Sequence, residues 1–211
     1  MSVVLFDMDG VLFDTEGIYK KRFKEFLEYK GYRVDDSILN LFVGSNTKRD
    51  GMLLTKYVDA KIDYQEFLHE RRAYFRNRPV DYRNVLFDDV LPCLKALKKN
   101  GHHLTVVSSS PLANINQLLS LFDMSKYFDH IVSGEDFNES KPNPQVYFYA
   151  KHLYSDYDTK FYVVEDSTIG IEAATKANTI VIARKDDRYG FDQSSANYIV
   201  NSLSELADFV K

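Results

Sequence analysis

The sequence predicts an α/β protein, a parallel sheet covered by helices on both faces and interrupted near its start by a helical insertion. Three observations carry that reading. Val3, Val4, Leu5 and Phe6 form a short continuous apolar run rich in β-branched and aromatic residues, the pattern of a strand buried on both faces. From about Val85 onward, such runs alternate with helical segments, which places successive strands parallel with crossover helices between them. Between residue 16 and about 84, strand signals are scarce and helical periodicity dominates. The boundaries expected from these shifts are 1–15 and 85–211 for the sheet-bearing core and 16–84 for the helical insert.

In chain order, the first strand ends at Asp7, and "DGVLFDT" reads as a turn and a short flap. Ile18, Tyr19, Phe23, Phe26 and Leu27 then share one helical face, and Phe67, Leu68 and Tyr74 mark a second helix from Tyr64 to Phe75. Between them lie two shorter helices around a turn at Gly44. The core resumes with a helix from Val90 to Lys99, stopped by Asn100-Gly101. Strand "LTVV" follows, then a helix for which Ser110 and Pro111 are the expected opening residues. Strand "HIVS", a helix after "KPNP", strand "FYVVE", helix "TIGIEAATKA", strand "TIVIA" and strand "YIV" complete the alternation. Ser202 and Glu205 have capping-box spacing before a last helix.

The bulk numbers exclude several classes. Hydrophobic content of 45% beside 27% charged residues is that of a soluble globular chain. A net charge of -4 argues against general nucleic-acid binding. No run approaches the roughly 18 apolar residues of a membrane span, and the apolar start is broken by Asp7, unlike a signal peptide. Cys93 is the only cysteine, which fits a reducing compartment and a packed structural thiol. A cytoplasmic protein, monomeric or weakly dimeric, is the expectation. Charge is uneven: residues 16–83 carry 15 Lys and Arg against 11 Asp and Glu, so a basic insert accompanies an acidic body. That pattern suits an anionic substrate held between them.

Chemistry-bearing residues recur at the carboxyl ends of the predicted strands. Asp7 and Asp9 follow the first, Ser108 follows "LTVV", Lys141 stands in "ESKPNP", and Glu165 and Asp166 follow "FYVV". In open α/β sheets the ligand crevice lies outside those ends. A side-chain period of two points Asp7 and Asp9 the same way, an arrangement that needs a cation or a shared proton. Carboxylates of Asp7 and Asp166 suit Mg²⁺. Lys141 and Ser108 suit phosphoryl oxygens, and one carboxylate attacks phosphorus while a neighbour handles a proton.

The same residues carry a resemblance. "DMDGVLFDTE", "TVVSSS", "SKPNP" and "VVEDSTIGIEAA" resemble, in order and spacing, the four motifs of the haloacid dehalogenase-like phosphatase superfamily. The resemblance covers nearly the whole chain and implies a Rossmann-like core with a helical cap. It implies Asp7 as nucleophile forming an aspartyl-phosphate, and Asp9 as the acid and later the base. Ser108 and Lys141 would hold the phosphate, with Ser109, Gly44 and Arg49 as further substrate contacts. Mg²⁺ would bind Asp7, Asp166 and the Asp9 backbone carbonyl. Glu165 is open between a metal ligand and a partner of one; its Glu-Asp form is typical of the β-phosphoglucomutase-like subgroup.

Plainer readings stand beside these. Ser108 alone is as good a loop serine, Lys141 a loop charge and Thr168 a helix opener. His102 and His103 read as surface or strand-edge residues, and the arginines of "ERRAYFRNRPVDYR" as a solvated helix face over buried aromatics rather than an RNA site. Two departures weaken a mutase assignment: Tyr19 stands where those enzymes carry a cap histidine, and Arg49 comes later than their cap-loop arginine. "FDDVLP" also replaces the usual Pro-Gly before a helix. The expectation is a Mg²⁺-dependent phosphatase of a small phosphorylated metabolite, a sugar phosphate or nucleotide. A phosphosugar mutase and a non-catalytic binding protein are the alternatives.

Overall fold

The computed structural model describes residues 1–155 and 159–211. The chain divides into two compact units, one of Thr15–Asn84 and one of Met1–Asp14 with Val85–Lys211.

The first unit is helical: α1 (Glu16–Tyr29), α2 (Asp36–Asn40), α3 (Thr47–Tyr57) and α4 (Tyr64–Phe75). Its core gathers the periodic apolar residues, with Phe23, Phe26, Leu27, Leu39, Leu54 and Phe67 buried together. The Phe26 and Phe67 rings meet edge to face at 5.0 Å, a favoured quadrupole arrangement. Asn46 and Asp63 cap α3 and α4 by accepting backbone N–H groups of their first turns. Arginines of the basic stretch are engaged within the unit. Arg78 lies over the Tyr74 ring at 4.4 Å and pairs with Glu25 at 2.8 Å, and Arg71 lies over Phe23 at 5.7 Å.

The second unit holds β1 (Ser2–Phe6), α5 (Val90–Lys99), β2 (His103–Ser108), α6 (Leu112–Leu121), β3 (His130–Ser133), α7 (Gln145–His152), β4 (Lys160–Glu165), α8 (Thr168–Lys176), β5 (Ile180–Arg184), β6 (Tyr198–Val200) and α9 (Leu206–Phe209). The strands form one six-stranded sheet in the order β3-β2-β1-β4-β5-β6, parallel throughout. Every residue of β1 is buried, as a central strand covered on both faces requires. Cys93 is packed on α5, and burial pushes its thiol up to about 12, so it stays neutral and structural.

Several local expectations change. His102 is buried rather than at the surface, its Nδ1 accepting the Ser2 N–H at 3.3 Å. Thr168 opens α8 as expected; Ser167 before it is the cap, accepting from Gly170 N, and Thr168 Oγ1 accepts from Asp192 N at 2.8 Å. Ser110 does not cap α6. The "FDD" departure has a structural consequence: Asp89 accepts from Arg184 at 3.0 Å, from Ser202 Oγ at 2.8 Å and from Leu203 N at 2.9 Å. It joins α5 to the end of β5 and to the C-terminal turn, where the Ser202–Glu205 capping box is present.

Candidate active site

Chain order reverses at β1. The path runs β1, β2, β3 toward one edge, and β4 then returns to the other side of β1. Such a reversal opens a crevice at the carboxyl ends of the strands. Asp7 sits at its centre, still on the ladder, with its N–H donated to Val164 O at 2.9 Å. After it the chain turns sharply: Leu12 N bonds Met8 O at 2.9 Å and Gly10 N bonds Phe13 O at 2.8 Å. Gly10 takes a φ of +79, and a Cβ there would lie 2.0 Å from Asp166 Oδ2, so no larger residue lets the β1 and β4 ends approach this closely.

Lys141 organises the interior of the site. Its Nζ donates to Asp7 Oδ1 at 2.5 Å, to Glu165 Oε1 at 2.7 Å and to Val107 O at 3.2 Å, three acceptors for an ammonium's three hydrogens. Tyr147, on α7, donates its hydroxyl to the same Glu165 Oε1 at 2.6 Å. Glu165 Oε2 accepts from Asp166 N at 3.2 Å and Ser167 Oγ at 3.4 Å, so both its oxygens are engaged. Lys141, Glu165 and Asp166 are all at most 4% exposed, and Asp7 only 8%.

The electrostatics follow from that burial. Loss of water works against the Lys141 ammonium, but Asp7 and Glu165 outweigh it and hold the group charged, well above its ordinary range. Burial pushes the Asp7 carboxyl up, Lys141 pulls it back, and Glu165 and Asp9 add to the rise. The balance leaves it above the ordinary carboxylate range. Asp7, Glu165 and Asp166 each offer an oxygen within 4.8 Å of the others. Three buried carboxylates against one ammonium leave the site short of positive charge, and a hard, all-oxygen donor set fits Mg²⁺.

Beside this cluster lies a row of hydroxyls. Ser108 is buried at the end of β2, its Oγ accepting from Ser110 N at 3.0 Å. Ser110 Oγ donates to Asp9 Oδ2 at 2.7 Å, and Ser133, ending β3, donates to Ser110 O at 2.8 Å. Ser109 is exposed in the same loop, pressed against Gly134, where a Cβ would come within 3.0 Å of Ser109 Cα. The structure therefore brings together Asp7, Asp9, Ser108, Lys141, Glu165 and Asp166, while Ser109 is exposed in the adjoining loop. Gly44, with φ +60, and Arg49, whose N–H Asn46 Oδ1 accepts at 2.9 Å, belong to the helical unit, and the cluster is built without them.

Four participants escaped the sequence reading. Tyr147 reads as one more apolar position of "VYFYA", and Ser133 as a strand end. Ser110 reads as a helix cap, although three consecutive serines after a buried strand were a visible signal. Gln193, far along the chain, donates from Nε2 to Asp166 O at 2.6 Å and Arg184 O at 2.7 Å, tying together the ends of β4 and β5. Nothing in its local sequence marks that role.

The protein is thus of the parallel α/β class, with a carboxylate-rich centre at the carboxyl ends of its strands. Residues 4–184 match the family model described as haloacid dehalogenase-like hydrolase, and the chain belongs to that family. Among curated relatives, it is 30% identical to a phosphoglycolate phosphatase of Aquifex aeolicus over 100% of this chain and 96% of that one. It is 28% identical to a phosphorylated carbohydrates phosphatase of Thermotoga maritima, over 84% of this chain and 82% of the relative. Among solved structures, a predicted phosphatase from Clostridium acetobutylicum superposes with a TM-score of 0.77 at 29% identity, covering 98% of this chain and 96% of that one. Among the described residues no helix is long and apolar enough to cross a membrane.

Proposed function

We propose that this chain is a Mg²⁺-dependent phosphomonoesterase of small phosphorylated metabolites, with phosphorylated carbohydrates the first substrates to try. One observation carries the reading: Asp7, at the switch point of the sheet, is held by the Lys141 ammonium beside Asp166, with Asp9 two residues further on. The named activities of the relatives agree with it.

In the first half-reaction an Asp7 oxygen attacks phosphorus and the phosphorus–oxygen bond to the leaving alcohol breaks. The departing oxygen takes its proton from the Asp9 carboxyl. In the second, a water oxygen attacks the phosphorus of the aspartyl-phosphate while Asp9 takes the water's proton. The bond to Asp7 breaks, releasing phosphate and restoring both carboxyl groups. Lys141 and Ser108 balance charge on the phosphoryl oxygens. Asp7, Asp166 and the Asp9 carbonyl would hold Mg²⁺, which supplies further positive charge to the phosphoryl group. Glu165, with both oxygens occupied by donors, holds Lys141 in place rather than binding the metal.

The deciding experiment is phosphate release from a panel of sugar phosphates, nucleotides and short phosphorylated acids, with Mg²⁺ and with chelator. Release on part of the panel that depends on Mg²⁺ is expected. A purified, folded protein that releases none under either condition rejects the assignment.

A further inference from the structure

We infer that Ser110 is a positioning residue that fixes the proton-transferring carboxyl of Asp9. The inference rests on the phosphatase reading above and assigns a task to a side chain that the reading does not use.

Ser110 is held from three sides. Its N–H is accepted by Ser108 Oγ at 3.0 Å, its carbonyl accepts the Ser133 hydroxyl at 2.8 Å, and Pro111 follows it with a ring-fixed φ. Ser133 is itself seated at the end of β3, so the ends of two neighbouring strands lock the Ser110 backbone. The side chain is then placed rather than free to search. It does not cap α6, whose N-cap makes no side-chain bond, but donates to Asp9 Oδ2 at 2.7 Å. A serine beside a helix start ordinarily finds the helix N–H groups; here the backbone lock turns it to the carboxylate.

That contact has a mechanical consequence. Carboxyl rotation about the last side-chain bond of an aspartate is soft, with a broad two-fold preference. Asp9 has to give a proton to a leaving oxygen and then take one from water, both on the side of phosphorus opposite Asp7. Holding Oδ2 restricts that rotation and sets the plane of the carboxyl that moves protons. The gain is one of orientation, concentrated in the step where the leaving oxygen must be protonated as its bond to phosphorus breaks.

The test compares two esters. An alkyl phosphomonoester such as glycerol phosphate leaves as a strongly basic alkoxide and needs the proton. 4-Nitrophenyl phosphate leaves as a stable phenolate and needs it far less. The readout is kcat/KM, which covers formation of the phosphoenzyme and excludes its hydrolysis. Ser110→Ala is expected to lower kcat/KM about tenfold or more on the alkyl ester and less than about threefold on the aryl ester. Ser110→Thr, which keeps a hydroxyl, is expected to keep the wild-type ratio of the two rates. A variant that only folds less well loses both rates in the same proportion, so thermal unfolding of each variant is measured alongside. Equal losses on the two esters, no loss, or a Thr variant with the selectivity of Ala would each overturn the assignment. If the wild-type protein hydrolyses neither ester nor any of the metabolite panel, the phosphatase reading falls first and takes this one with it.

Discussion

Gly170 and Glu165 are in a contact that no larger residue at position 170 permits, since a Cβ there would lie 2.1 Å from Glu165 Cδ and 2.2 Å from Oε1. Gly170 lies in the first turn of α8, where helix propensity alone favours alanine by up to about 1 kcal/mol. Packing opposes it. The Glu165 carboxylate is fully buried and held by Lys141 and Tyr147, so it cannot move aside without breaking those bonds. Gly170→Ala is expected to destabilise the protein by about 1–3 kcal/mol in urea unfolding and to lower turnover as Lys141 shifts. A variant more stable than wild type would mean that the Glu165 carboxylate has room to relocate.

The glycine was legible only in part. "VVEDSTIGIEAA" announces a strand, acids and a helix, because continuous apolar runs and alternation with helices are written in local composition. All six strands and the helices from Val90 to Lys99 and Tyr64 to Phe75 were readable in this way. Asp7, Lys141, Glu165 and Asp166 were readable as strand-end polar residues. Contacts between distant segments were not. Tyr147 and Glu165 are eighteen positions apart, and Gln193 lies twenty-seven from Asp166; only the sheet order brings them together. Ser110 was misplaced for a different reason: a serine before Pro-Leu has a good local use as a cap, and the tertiary lock on its backbone overrode it.

Metal binding should be visible as stability before any turnover is measured. Asp7, Glu165 and Asp166 crowd three buried carboxylates around one lysine, so a divalent cation that binds only the folded chain raises the unfolding temperature by mass action. Differential scanning fluorimetry in chelator and then in millimolar Mg²⁺ is expected to show an upward shift. Asp166→Asn should lose most of it. An unchanged midpoint on adding Mg²⁺ to the wild-type protein would count against a metal at Asp7 and Asp166.

Asp7→Asn keeps the shape of the side chain and removes the nucleophilic oxygen. Its expected cost is a loss of about a thousandfold or more in kcat. Lys141 retains Glu165 as a partner, so the variant should remain folded. Mass spectrometry of rapidly quenched wild-type protein should find a phosphoryl adduct on the peptide containing Asp7. Substantial turnover by the asparagine variant would reject covalent catalysis at this position.

Asp50, on α3, offers a pH test within the helical unit. Burial pushes its carboxyl up to about 6, while the Tyr64 hydroxyl, 3.4 Å from Oδ2, only partly offsets this. Because the folded value lies above the unfolded one, the native state holds more protons between about 4 and 6. Wild-type stability should therefore fall as pH rises through that window. Asp50→Asn removes the charge and keeps an acceptor for Tyr64, so it should stabilise the protein increasingly from about pH 4. The gain should level off above about pH 6, at a size on the order of 2 kcal/mol. Equal effects at pH 4 and pH 7.5 in chemical denaturation would show that Asp50 titrates normally.

Tyr19 bears on whether this chain hydrolyses or isomerises. On α1 its hydroxyl lies 3.3 Å from that of Tyr82, within the helical unit. A mutase has to protect its aspartyl-phosphate from water until a sugar hydroxyl attacks it, which requires the acid–base carboxyl to stay idle until the right ligand is bound. A cap histidine, titrating near neutral pH, can take part in that coupling; an ordinary tyrosine, titrating near about 10, cannot exchange a proton in the same range. Asp9 is instead held ready by Ser110. The phosphoenzyme is therefore expected to be short-lived, with phosphate released from sugar phosphates in the absence of any bisphosphate activator. No interconversion of β-glucose 1-phosphate and glucose 6-phosphate is expected when the two are followed by phosphorus NMR. Tyr19→His should not create it, because the cap-loop arginine is displaced as well, Arg49 on α3 coming later than the mutase pattern expects. Isomerisation by the wild-type protein at a rate well above phosphate release would reverse the choice and make this chain a mutase.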